Sequence, residues 1–133
     1  MYSFATNGAT IANGDYSFAS GADVIANGRI SHAEGERTRT EGQCAHAEGK
    51  ATWARGDYSH AEGFFTIALG KHSHAEGHSW KGESDFNHFD TLAGSASELI
   101  SMWNTSANFN AAVGEDSHSE GVCCLAAGRA SHA

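Results

Sequence analysis

The stretch from 31 to 77 repeats one phrase four times. Ser31-His32-Ala33-Glu34-Gly35 returns as Ala45-His46-Ala47-Glu48-Gly49, as Ser59-His60-Ala61-Glu62-Gly63 and as Ser73-His74-Ala75-Glu76-Gly77, each copy fourteen residues after the last. Ser117-His118-Ser119-Glu120-Gly121 is an altered copy farther along. Outward from these copies, glycine marks a shorter beat of seven. It stands at Gly14, Gly21, Gly28, Gly35, Gly42, Gly49, Gly56, Gly63, Gly70 and Gly77, then at Gly114, Gly121 and Gly128. The slot before Gly14 holds Asn7, the kind of residue that best replaces glycine at positive φ, so the slot reads as a left-handed turn position.

With each seven-residue unit numbered so that this glycine is place seven, place five is nearly always Ala and place three usually Ser or Thr. Side chains alternate along a strand, so places three and five share one face that carries only small groups. Place four alternates between units. Odd units carry Phe4, Phe18, His32, His46, His60, His74, His118 and His132, and even units Ile11, Ile25, Arg39, Trp53, Ile67 and Leu125, so the true repeat is fourteen residues. A helix would lose about 1 kcal/mol at each of these glycines, and a coiled coil needs two apolar places per heptad. The pattern predicts an all-β parallel roll of two short strands per fourteen-residue coil, about eight coils tall, with turns at the glycines.

Composition agrees that the interior is thin. Leu, Ile, Val and Phe together make 19 of 133 residues against 23 Ala and 16 Gly, too few bulky groups to fill ordinary packed layers, so the chain is either disordered or folded by thin repetition. A roll filled with Ala and Ser buries little apolar area per coil, which makes a homo-oligomer the expectation. The net charge of −8 excludes a nucleic-acid partner, and the absence of a long apolar run excludes a membrane span. Met1-Tyr2-Ser3-Phe4 does not open like a signal peptide. Cys44, Cys123 and Cys124 lack zinc-type spacing and read as reduced, space-filling residues.

The Ser-His-Ala-Glu-Gly units resemble the head repeats of trimeric autotransporter adhesins and the related repeats of phage tail, fibre and spike proteins. The likeness covers residues 1 to about 80 and 108 to 133. It implies a left-handed parallel β-roll assembled as a homotrimer around a threefold axis. The stalk and membrane anchor of the adhesins have no counterpart, which moves the expectation to a phage virion appendage that presents a host-binding surface. The adhesive head of a bacterial cell-surface protein and a purely structural connector are the alternatives. The implied partners are copies of the same chain, a host glycan or receptor, and other virion or adhesin components at the chain ends. The last unit stops at Ala133 before its glycine, which reads either as an open end continuing into another component or as a truncation.

Between the roll segments 1–79 and 108–133 the repeat is interrupted over 80–107. His74 and His118 hold equivalent places 44 residues apart where one coil takes 14, so about 30 residues are inserted. Ser95-Ala96-Ser97-Glu98 has the spacing of a capping box, which predicts a short helix near 95–104. The segment is expected to pack on the flank of the roll as a satellite core. It also holds the candidate ligand-binding residues Trp80, Asp85, Asn87, Asp90 and Trp103, since aromatic rings and short polar side chains suit sugar faces and hydroxyls.

The remaining candidates repeat. His32 and Glu34, His46 and Glu48, His60 and Glu62, His74 and Glu76, and His118 and Glu120 are each two residues apart and so share a strand face. Stacked coils turn them into parallel ladders, in which imidazoles offset the repulsion of a bare carboxylate column. That structural role is the favoured reading. His72-Ser73-His74 is a His-x-His pair that three chains could gather at an axis, a set that resembles the iron sites of some phage fibre tips. No metal is favoured, no cofactor is expected, and no nucleophile motif marks the chain as an enzyme. The period also disagrees with the six-residue repeat of left-handed β-helix acyltransferases, with ice-binding Thr-x-Thr ranks and with calcium-binding Gly-Gly-x-Gly-x-Asp units.

Overall fold

A computed structural model describes residues 2–79, 97, 100 and 109–133. Each fourteen-residue unit makes one turn of two strands: β1 (Phe4–Thr6) with β2 (Ile11–Ala12), β3 (Phe18–Ala22) with β4 (Ile25–Ala26), β5 (His32–Glu36) with β6 (Arg39–Thr40), and β7 (His46–Lys50) with β8 (Trp53–Ala54). The series continues as β9 (His60–Phe64) with β10 (Thr66–Ala68), β11 (His74–Ala75) with β12 (Asn110–Ala112), and β13 (His118–Ser119) with β14 (Leu125–Ala126). Odd-numbered strands form one seven-stranded sheet and even-numbered strands a second. Every pairing is parallel, and His32 lies beside His46 as His46 lies beside His60. The chain is a parallel β-solenoid of seven turns. An eighth was expected, but it is only begun, by the bridge from His118 to His132.

The interior follows from places three and five. Ala19, Ala33, Ala47, Ala61 and Ala75 from the first sheet and Ala26, Ala54, Ala68 and Ala112 from the second are all fully buried, so the two sheets meet through methyl groups. Ser17, Ser59 and Ser73 are buried beside them. Each donates its hydroxyl at 2.6 Å to the carbonyl three residues back, that of Gly14, Gly56 or Gly70, which closes a turn without leaving a polar atom unpaired.

The glycines do two different jobs. In one series, Gly21, Gly35, Gly49, Gly63, Gly77 and Gly121 have φ between +103° and +130°, and Asn7 takes +76° in the same slot. In the other series, from Gly14 to Gly128, φ is not left-handed; the residue two places later is left-handed in both series, as at Asp23 and Arg37 after the first and at Tyr16, Ile30, Cys44, Tyr58, His72, Asp116 and Ala130 after the second. Crowding requires glycine from Gly14 to Gly114, and it acts equally at Gly21, Gly35, Gly49, Gly63 and Gly77, where a left-handed φ favours glycine as well. A Cβ on Gly42 would run into the carbonyl oxygen of Gly56, one turn on. The left-handed slot read from Asn7 therefore applies to alternate units, because the two corners of a turn have different backbone paths. Cys44 is free and exposed on such a corner, rather than filling interior space as expected.

Pairing also locates the interruption. His78 bridges to Phe64 and Val122, and Asn110 pairs with Thr66, so the break falls between His78 and Phe109, at a corner between the sheets. The expected helix near 95–104 lies outside the described residues except for Ser97 and Ile100, both of which have helical backbone. Ile100 packs against a cluster of Trp53, Phe65, Ile67, Phe109 and Val113. Trp53 and Ile67 occupy place four, which faces away from the interior, yet they are only 3% and 1% exposed. Ile11, in the same column three turns before Trp53, is 47% exposed, so the covering is confined to the middle turns. Among the described residues, no helix is long and apolar enough to cross a membrane.

Candidate functional site

Place four of the first sheet points outward, and the fourteen-residue register brings its residues into one column of rings. Phe4 stacks on Phe18 with centroids 5.5 Å apart, and Phe18 meets His32 edge-on at 4.6 Å. From there the column is imidazole. His46 on His60, His60 on His74, His74 on His118 and His118 on His132 are spaced 4.7–4.8 Å with planes inclined by 7° or less. His32 and His46 are also 4.7 Å apart but are inclined by 35°. The spacing is that of neighbouring strands, so the stack is imposed by the backbone.

Glu34, Glu48, Glu62, Glu76 and Glu120 form a second column at place six. The histidines reach back to the glutamate of the preceding turn. Nε2 of His74 lies 3.3 Å from Glu62 Oε1, that of His118 3.3 Å from Glu76, and that of His132 3.3 Å from Glu120. His60 and Glu48 are 3.5 Å apart, while His32 approaches Glu34 of its own turn at 3.7 Å. The Nε2 atoms of His32, His46 and His60 are buried without a hydrogen bond of good geometry, although the rings are partly exposed. Glu36 and Lys50 close the edge of this face with an ion pair of 3.4 Å.

Protonation follows from this crowding. Burial, and then the charge of neighbouring imidazoles, holds His46 and His60 below the usual histidine range. Burial and the nearby carboxyls of Glu76 and Glu48 push Glu62 up. A hydrogen bond from Glu62, followed by one from His118, brings Glu76 down. The columns are thus a set of half-exposed proton donors and acceptors repeated over the last five turns. The ligand atoms of His32, Glu34 and His46 lie within 4.8 Å of one another, and the same holds for His46, Glu48 and His60, for His60, Glu62 and His74, and for His118, Glu120 and His132.

The His72 and His74 pair is not brought together in this way. His74 belongs to the sheet column. His72 sits on the corner with φ +56°, stacks on Tyr58 at 5.3 Å, and places Nδ1 3.0 Å from Asp116 Oδ1, in an exposed group with Glu115. The left-handed backbone at His72 turns its side chain out of the alternation that would have set it beside His74. Trp80, Asp85, Asn87, Asp90 and Trp103 lie outside the described residues.

Two features were not singled out from sequence. One is an electrostatic patch on the second sheet, where the guanidinium of Arg55 lies 4.7 Å from the Trp53 ring centre and bonds Glu41 at 3.1 Å. The same spacing of fourteen that reveals the histidine column aligns these residues. The other is Asn110, fully buried where the three preceding turns carry Thr38, Thr52 and Thr66. Its Nδ2 donates to the carbonyls of Glu76 and Gly121 at 2.7 Å each, and its Oδ1 accepts from Cys124 N–H at 2.6 Å.

No protein-family model, curated protein or solved structure matches the chain.

Proposed function

We propose that the chain is a structural and adhesive β-roll that works as a left-handed homotrimer on a phage virion appendage and presents a host-binding surface. The observation that supports this most directly is the outer face of the first sheet. It carries a column of rings over seven turns and, over the last five, a column of carboxylates beside it, whereas the outer face of the second sheet is covered around Trp53 and Ile67. Three parallel copies place equal turns at equal height, so in this reading a histidine of one copy meets a glutamate of the next in each of the five layers that carry both. The interior of Ala and Ser buries little apolar area per turn, and side-by-side packing supplies part of what it lacks. The role is mechanical: a stiff rod built on backbone ladders, with the inserted segment as the element that breaks its uniformity.

Host contact belongs to that insertion in this reading, because the columns repeat and a recognition site needs an exception to the repeat. Catalysis forms no part of the proposal. The test compares the full chain with a variant in which His78 is joined directly to Phe109, in adsorption to host cells and to immobilised glycans. Adsorption by the full chain and its loss in the variant, with unchanged native mass, is the expected result. Adsorption by neither protein removes the adhesive role and leaves the structural connector.

A further inference from the structure

We propose that the imidazole column binds late first-row divalent metal ions between successive turns, three per chain, with zinc as the reference ion. The inference does not rest on trimer formation, since every ligand comes from one chain.

The first argument is the separation between nitrogen and oxygen. Charge-assisted N–H···O bonds close to about 2.7–2.9 Å. Here the Nε2 to carboxylate distance is 3.3 Å at His74 and Glu62, 3.3 Å at His132 and Glu120, and 3.7 Å at His32 and Glu34. Two ligands each about 2.0–2.1 Å from one tetrahedral zinc stand about 3.4 Å apart. In each set one imidazole nitrogen and the carboxylate oxygen already stand near the spacing of ligands that share an ion. The second argument is that Nε2 of His32, His46 and His60, the atom that would bind, has no good hydrogen bond to give up.

The third argument fixes the number. One Nε2 serves one ion, so ligand sets that share a ring exclude each other. His46, Glu48 and His60 overlap two other sets. The remaining three, His32 with Glu34 and His46, His60 with Glu62 and His74, and His118 with Glu120 and His132, are disjoint and use all six imidazoles. Two nitrogens and one carboxylate oxygen leave a position for water, a common set for zinc, nickel or cobalt. Parallel rings must splay for their lone pairs to converge. The 35° inclination between His32 and His46 shows that the column accommodates such a tilt, and the half-exposed rings have room for it on the solvent side. Each ion also relieves the repulsion within the glutamate column of a chain that carries −8 overall. The corner group of His72, Glu115 and Asp116 offers similar atoms, but with a single imidazole, whose Nδ1 stands 3.0 Å from Asp116, at hydrogen-bond rather than ligand spacing.

The test titrates the full, metal-stripped chain with zinc chloride alone near neutral pH by calorimetry, with thermal melts alongside and cobalt as a spectroscopic probe of coordination. Three zinc ions per chain are expected, with a rise in melting temperature of several degrees and a tetrahedral cobalt spectrum. His60→Asn lowers the count from three to two. Glu62→Gln, which preserves size and the ring stack, does the same, and so keeps the test valid if the histidine variant fails to fold. His72→Ala leaves the count at three. A wild-type count other than three, or a count that Glu62→Gln leaves unchanged, overturns the proposal.

Discussion

The His74 imidazole lies flat on that of His118, with ring centroids 4.8 Å apart and planes inclined by 3°, although 44 residues separate them in the chain. The inserted segment leaves and returns at one corner without shifting the stack by a single residue. Joining His78 to Phe109 would recreate the Phe64-Phe65 corner of the preceding turn. That variant is expected to keep its β-type circular dichroism. It should melt lower and bind a hydrophobic dye, because the cluster of Trp53, Ile67 and Phe109 loses Ile100, which packs against it. Loss of the β signal would mean that the insertion is needed to build the roll.

Glycine substitutions separate crowding from backbone conformation. Gly42 does not have left-handed φ, yet Gly42→Ala puts a methyl group into the carbonyl of Gly56 and is expected to unfold the roll or cost several times the usual propensity loss of about 1 kcal/mol. Gly8, with nothing within 4 Å of an added Cβ, is expected to accept Ala within about 0.5 kcal/mol. Urea melts of the two variants make the comparison. Equal effects would contradict the packing described.

Two buried threonines carry hydroxyls without partners. Thr38 and Thr52 are fully buried and their Oγ1 atoms make no hydrogen bond, while Val24 fills the same place one turn before Thr38. Thr52→Val removes a desolvated polar atom at nearly constant volume, so a gain of about 0.5–1 kcal/mol is expected in chemical denaturation. A loss of that size would show that the hydroxyl has a partner after all.

Asn110 makes the opposite case. Returning it to the threonine of the three preceding turns leaves the carbonyls of Glu76 and Gly121 and the N–H of Cys124 without their side-chain partner. Asn110→Thr is expected to cost about 2–3 kcal/mol. Weakened amide protection in hydrogen exchange, concentrated near Cys124 and Gly121, would locate the loss. A neutral substitution would mean that water replaces the side chain without penalty.

In metal-stripped protein the imidazole column makes stability depend on pH. His46 and His60 titrate lower in the fold than in the unfolded chain, so the unfolded state binds more protons between the two values. Their contribution is fully present above about pH 6.5, the unfolded value, and falls as pH drops toward the lowered folded value. Melting temperature is expected to decrease over that window in the wild type and less in a His46→Gln, His60→Gln variant. An equal decrease in both would assign the effect to other groups.

The repeat made the solenoid legible because only a small side chain fits where two strand faces meet, and Ala at place five recurs on that account at Ala19, Ala33 and Ala47. Place three carried the same message through Ser17 and Thr38. The size of the interruption followed from His74 and His118 alone. Less was legible where residues act across turns. Histidine and glutamate two apart in sequence looked like partners, but His74 and His118 reach diagonally across to the glutamates of the preceding turn. The pairing of His72 with His74 assumed strict alternation, which a left-handed corner breaks. Cys44 looked like filler because its size matches Ala, while its place on an exposed corner depends on backbone path. The burial of Trp53 and Ile67 was hidden because outward-facing positions carry no signal of what covers them.

The measurement that bears most directly on the central claim is the native mass of the full chain in solution by light scattering, with and without a chelator. The expected result is a single species at three times the 14.0 kDa chain mass that survives chelation. A monodisperse, folded species at the mass of one chain would contradict the trimeric roll and the side-by-side packing on which its function is built.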